Sequence, residues 1–160
     1  MTTLHLLASV GALASGAMVL VRAKGTSPHR IVGAAYVCAT VLYCLSSFAI
    51  YPSTGRLTPF HAIALQNLCL VGSGVAVSRV FRRRVPEWRV WHLRLMSYSY
   101  VSLVATGLRF AIPALPQSRL IPALTFAVVP VACWVYIERR VVPFWRRQRG
   151  PEFGEGEARA

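Results

Sequence analysis

Apolar residues run along the chain in five continuous stretches, roughly Leu4 to Val21, Ile31 to Tyr51, Phe60 to Val80, Leu93 to Ile112 and Leu120 to Ile137. Each is close to the ~20 residues that an α-helix needs to cross ~30 Å of hydrocarbon at 1.5 Å per residue. The runs are continuous and do not alternate over about ten residues, so they predict helices and not the strands of a closed barrel. The segments between them carry helix-end punctuation. GTSPHR sets Ser27 and Pro28 ahead of the second run, where serine caps and proline occupies the first turn. YPSTGRLTP closes the second helix and opens the third, and ALPQSRLIP makes a tight turn between the fourth and fifth.

The expected fold is therefore an all-α integral membrane bundle of five transmembrane helices, spanning 4–21, 31–51, 60–80, 93–112 and 120–137. Residues 1–140 make one transmembrane domain. Residues 141–160 make a cytoplasmic tail, basic at first and then disordered through GPEFGEGEARA. The first run has no Lys or Arg before it, and its basic residues follow at Arg22 and Lys24, so it is expected to be a bundle helix and not a secretory signal.

Composition agrees: 55% of the residues are hydrophobic and 14% charged, too apolar for an ordinary soluble domain. A net charge of +13 would suggest nucleic acid in a soluble chain, but its distribution says otherwise. Of 18 basic residues, Arg22, Lys24 and Arg30 flank the first connection. Arg79, Arg82, Arg83, Arg84, Arg89 and Arg94 crowd the third, and Arg139, Arg140, Arg146, Arg147, Arg149 and Arg159 lie near the carboxyl terminus. The second and fourth connections carry only Arg56 and Arg119. The positive-inside rule then places the amino terminus outside and the carboxyl terminus in the cytoplasm of a bacterial plasma (inner) membrane. The expected partners are the lipid bilayer and anionic headgroups at the cytoplasmic face, with no nucleic acid. FRRRVPEWRVWHLR, which mixes arginines with Phe81, Trp88 and Trp91, suits a segment lying along that interface.

Candidate chemistry rests on four histidines. His5, His29, His61 and His92 stand at or near the starts of the first four helices in turn. Because successive helices alternate in direction, His5 and His61 fall on the outer side and His29 and His92 on the cytoplasmic side. Two imidazoles from facing helices make a natural axial pair for haem iron, and bis-ligation leaves no open coordination position, which suits electron transfer. A helix start also favours neutral imidazole through the dipole. Interfacial or packing roles for the same histidines stay open. Cys38, Cys44, Cys69 and Cys133 have no CxxC spacing and are expected to pack as small apolar residues.

LHLLASVGALASG, HRIVGAAY, the histidine of PFHAIALQN, and HLRLMSYSY followed by GLRFAIP resemble the pattern of an uncharacterised family of small predicted bacterial membrane proteins. More distantly, the layout is similar to the ascorbate-reducible di-haem cytochrome b family, in which four central helices each carry a histidine. That resemblance implies two b-type haems, one held by His5 with His61 and one by His29 with His92. The chain departs from that family by lacking a helix before the first ligand helix, and it shows no ascorbate site.

Arg109 is the basic residue inside a span, where a guanidinium is costly enough to suggest function. It is expected either to pair with a haem propionate in the His5 and His61 layer or to snorkel to the outer surface. Gly33 is expected to clear space beside His29, and Tyr36 and Met96 to help fix the cytoplasmic site. Gln66, Asn67, Tyr43, Ser97, Tyr98, Ser99, Tyr100, Ser102 and Thr106 supply further polar handles, either orienting ligands or joining helices. The stripe Ala8, Ala12 and Gly16 allows a neighbouring helix to approach closely or leaves room for a flat cofactor. No aspartate occurs, and Glu87, Glu138, Glu152, Glu155 and Glu157 fall in connections or the tail, so a carboxylate-driven pump has no support. The leading expectation is a cytochrome b-like protein that transfers electrons across the membrane, with a redox partner or membrane complex. A cofactor-free scaffold or assembly factor, and a small-solute carrier lined by Arg109, Gln66 and Asn67, remain as alternatives.

Overall fold

The computed structural model describes residues 2–49, 55, 58–111 and 120–147, without the side chains of 2, 109–111, 120–127 and 145–147. Five principal helices follow one another: α1 (Thr2–Val21), α2 (Ser27–Ala49), α3 (Pro59–Arg79), α4 (Trp88–Ala111) and α5 (Leu120–Tyr136). A π-helical turn (Ile137–Val141) and a short α6 (Val142–Arg147) continue directly from α5. Three of these, α1, α2 and α3, are long and apolar enough to cross a membrane. α4 is long enough but is diluted by arginines and by the serine-rich stretch Ser97–Ser102, while α5 is strongly apolar but has only 17 residues.

Local chemistry accounts for the helix ends. Thr26, not Ser27, caps α2: the His29 backbone N–H donates to Thr26 Oγ1 at 3.3 Å, which leaves Ser27 and Pro28 inside the first turn. At the far end of α1, the Lys24 ammonium donates to the carbonyls of Val19 and Leu20 at 2.6 and 2.8 Å, satisfying acceptors that the helix leaves open. Burial there pushes the Lys24 amine below its ordinary range. Gly25 turns the chain into α2 with φ +83°, a conformation that suits glycine. α4 begins at Trp88, earlier than its apolar run, so the basic and aromatic segment expected along the interface is partly the first turns of a helix. Arg82 and Arg89 both lie over the Trp88 ring, at 5.0 and 5.1 Å.

The chain does not loosen into a tail at residue 141. It stays helical to Arg147, through the π turn. Pro143 supplies the reason: it has no N–H for the carbonyl four residues back and its ring crowds that carbonyl, so the preceding turn widens. The expected disorder of 148–160 lies outside the described residues.

Neighbouring helices α1 and α2, α2 and α3, and α3 and α4 pack together, and α1 touches α4, closing a ring of four. α5 packs on α4 outside that ring. Ala8, Ala12, Tyr36, Tyr43, Cys44, Ala64, Val71 and Leu103 form the core. Gly16 completes the small-residue stripe of α1 from within: an added Cβ would collide with the Tyr100 ring and come 3.0 Å from Tyr36 Cε2. That face is thus spent inside the chain and is not open to a partner. Leu4, Leu6, Leu7, Val10 and Leu20 face outward, as lipid contact requires.

Candidate functional site

Antiparallel packing brings the histidines to two ends of the four-helix ring, in the couples expected from helix direction. At one end stand His29 on α2 and His92 on α4, neighbours close enough for their charges to interact, with Lys24 beside His29. The His92 Nδ1–H donates to the Gly74 carbonyl of α3 at 2.8 Å. A carbonyl only accepts, so the proton sits on Nδ1 and the lone pair on Nε2. Metal-ligating histidines are commonly oriented by such a bond. His29 Nδ1 is buried and has no hydrogen-bond partner. One turn along α2, a Cβ added at Gly33 would meet nothing within 4 Å, so space is open beside His29.

Tyr36 does not line that end directly. It is 2% exposed, donates or accepts at 2.7 Å with Ser99 Oγ of α4, and meets the Tyr100 ring edge-on. It clamps α2 to α4 one turn beyond Gly33. Met96 packs against α3, its Sδ 2.8 Å from where a Gly74 Cβ would stand. Met96 thereby helps set the Gly74 carbonyl that holds His92.

His5 and His61 occupy the opposite end. Ser46 Oγ donates to the Tyr43 carbonyl at 2.8 Å, so the 2.9 Å contact between His5 Nδ1 and Ser46 Oγ is a donation from the ring. His5 Nε2 therefore carries a lone pair, and the ring packs on Tyr43 with centroids 5.0 Å apart. His61 is arranged differently. The Thr58 backbone N–H donates to His61 Nδ1 at 3.0 Å, which places the neutral ring's proton on Nε2. Its ring lies against Phe48 of α2 at 5.7 Å. His61 thus acts here as the reciprocal member of a helix cap, in the position where a glutamate more often serves.

At the His29 and His92 end, one ring is oriented by a carbonyl and the other has an orphaned buried nitrogen. His5 offers the right nitrogen, whereas His61 would have to release Thr58 and move its proton to Nδ1 before Nε2 could ligate. Among the described residues, no three of histidine, cysteine, aspartate and glutamate gather closely enough to share a metal ion. Arg109 belongs to α4, but its side chain lies outside the described residues, and so does its expected pairing with a propionate. Cys44 is fully buried as an apolar filler, while Cys38 and Cys69 are exposed on outer faces; all four cysteines are free.

One cluster escapes sequence reasoning. Glu138, expected to lie past the last helix as part of a connection, accepts from Arg94 at 2.7 Å and from the Tyr98 hydroxyl at 2.7 Å. Arg94 also stacks over Trp91 at 5.2 Å. The π turn swings Glu138 onto α4, so a carboxylate does reach into the bundle, though it arrives already paired. The signal lay in the spacing of Arg94 and Tyr98, four residues apart on one helix face. Alongside, Gln66, Leu70, Tyr98, Val101, Ser102 and Trp134 line an open groove of about 290 Å³ between α3, α4 and α5.

The family described as Predicted membrane protein (DUF2306) matches residues 2–145. No curated protein and no solved structure matches the chain. The likeness to di-haem cytochromes therefore rests on the placement of histidines alone.

Proposed function

Because the chain belongs to the DUF2306 family of predicted membrane proteins, we propose that it is a five-span bacterial inner-membrane protein that binds haem and passes electrons across the bilayer. α4 and α5 join α1, α2 and α3 as membrane spans in this reading, with the amino terminus outside and the carboxyl terminus in the cytoplasm. The length of α4 and the apolarity of α5 favour it. The arginines of Arg79–Arg94 and of α6 then meet anionic headgroups on the cytoplasmic side.

One observation carries the functional reading: His92 is locked by the Gly74 carbonyl with Nε2 as its free nitrogen, on the helix diagonal to the one that carries His29. His29 and His92 would hold a cytoplasmic haem, with Gly33 leaving room for it. His5 and His61 would hold the outer one, after the proton shift at His61. Bound there, a b-type haem supplies a one-electron couple. The protein's own part is to orient the imidazoles, through Gly74 at one end and Ser46 at the other.

Absorption spectra of the detergent-purified protein, expressed with haem supplied, test this. The expected result is a Soret band that sharpens on dithionite reduction. His29→Ala and His92→Ala should remove the same spectral component, and His5→Ala and His61→Ala the other. A colourless, folded preparation contradicts the proposal.

A further inference from the structure

Between the two histidine ends, two buried polar side chains are left short of hydrogen-bond partners. Asn67 of α3 is 0% exposed, and neither its Oδ1 nor its Nδ2 has a hydrogen-bond partner. Thr40 of α2 is also 0% exposed, and its hydroxyl stands near that of Tyr36 but outside hydrogen-bonding geometry.

Contacts between the helices place both in the middle of the bundle. Phe48 of α2 meets His61 of α3. Counting inward from that contact at 1.5 Å per residue, Asn67 lies about 9 Å and Thr40 about 12 Å along, level to within about 3 Å. Counted from the other end, Asn67 and Ser99 are each seven residues inward from the His92 bond to Gly74, so Asn67 stands near the level of Ser99. Two hydroxyl pairs lie near this level. Tyr36 bonds Ser99, and Tyr43 lies beside Thr106, seven residues further along both α2 and α4 and so about 10 Å away.

A buried amide that loses its water without gaining a partner is strongly disfavoured, and native interiors avoid the loss by admitting ordered water with two to four polar contacts. We infer that Asn67 and Thr40 hold internal water, which links the Tyr36–Ser99 and Tyr43–Thr106 pairs into one hydrogen-bonded column through the middle of the bundle. The amide offers two donors and an acceptor, and the hydroxyl one of each. Ala64, Val71 and Leu103, buried in the same core, are apolar and offer neither side chain another partner. The inference does not depend on haem.

Hydroxyl-radical labelling tests it. Brief X-ray irradiation of the full-length protein in detergent splits water where it is bound, and mass spectrometry reads oxygen added to adjacent side chains. The expected result is modification of Tyr36, Tyr43 and Cys44 despite their burial, falling about threefold or more in Asn67→Leu/Thr40→Val as its water sites are lost, while exposed Tyr136 is unchanged. Unmodified Tyr36, Tyr43 and Cys44 in the wild-type protein would overturn the inference, and that arm needs no variant to fold. Equal labelling in a folded double variant would overturn it as well.

Discussion

Three glycines with different surroundings separate packing from ligand space. At Gly16 a methyl group runs into two aromatic rings, Tyr100 and Tyr36, which are themselves wedged in the core. Gly16→Ala should therefore cost about 1–3 kcal/mol, read as a lower unfolding temperature in detergent. At Gly74 the obstacle is the thioether end of Met96 with its flexible side chain, so Gly74→Ala should cost less than Gly16→Ala in the same assay. At Gly33 nothing stands in the way. Gly33→Ala should raise the stability of haem-free protein by about 0.5–1 kcal/mol through helix propensity, whereas Gly33→Phe should cut haem retention if the space belongs to a porphyrin. The stripe Ala8, Ala12 and Gly16 was legible as a face without bulk, fit for a packed helix or a flat cofactor, and the Tyr100 and Tyr36 rings against Gly16 settle it as packing. Its partner was not: that α2 and α4 take the face depends on how the helices close into a ring.

At the scale of elements, hydropathy located all five principal helices, since a run of some twenty apolar residues has few other solutions. Its failures fall where a helix continues through polar residues. α4 begins five residues before its apolar run because Trp88 and Arg89, the arginine lying over the Trp88 ring, join the helix although they are not part of the apolar stretch. α5 runs on into α6 because Pro143 widens a turn without ending the helix. That widened turn delivers Glu138 to Arg94 and Tyr98, an intramolecular tie that pins the end of α5 to α4. Glu138→Gln keeps the shape and removes the charge. It should lower stability by about 1–2 kcal/mol, with the loss of helix docking visible as faster backbone hydrogen exchange in 137–147. Unchanged exchange there would mean that apolar contacts of Ile137 and Val142 suffice to hold the segment.

For the whole molecule, the ring α1 to α4 with α5 outside it turns four separate histidine positions into two ends. Which histidines share an end followed from alternating helix direction, so that much was legible. Nitrogen chemistry was not: it depends on the Gly74 carbonyl, on Ser46 and on the Thr58 backbone N–H, none of which a spacing argument identifies as a partner. The two ends are consequently unequal. His92 and His5 already present Nε2 as an acceptor, while His61 holds its proton there. Reconstitution with haem should therefore fill the His29 and His92 end at lower haem concentration than the other, giving a two-phase titration in which His29→Ala removes the first phase. Low-temperature electron paramagnetic resonance of the oxidised, haem-supplied protein tests the central claim most directly. The account predicts a low-spin ferric signal of the kind two axial imidazoles produce, with one component lost in both His29→Ala and His92→Ala. A folded protein that gives only high-spin ferric iron, or a signal indifferent to either substitution, would contradict it.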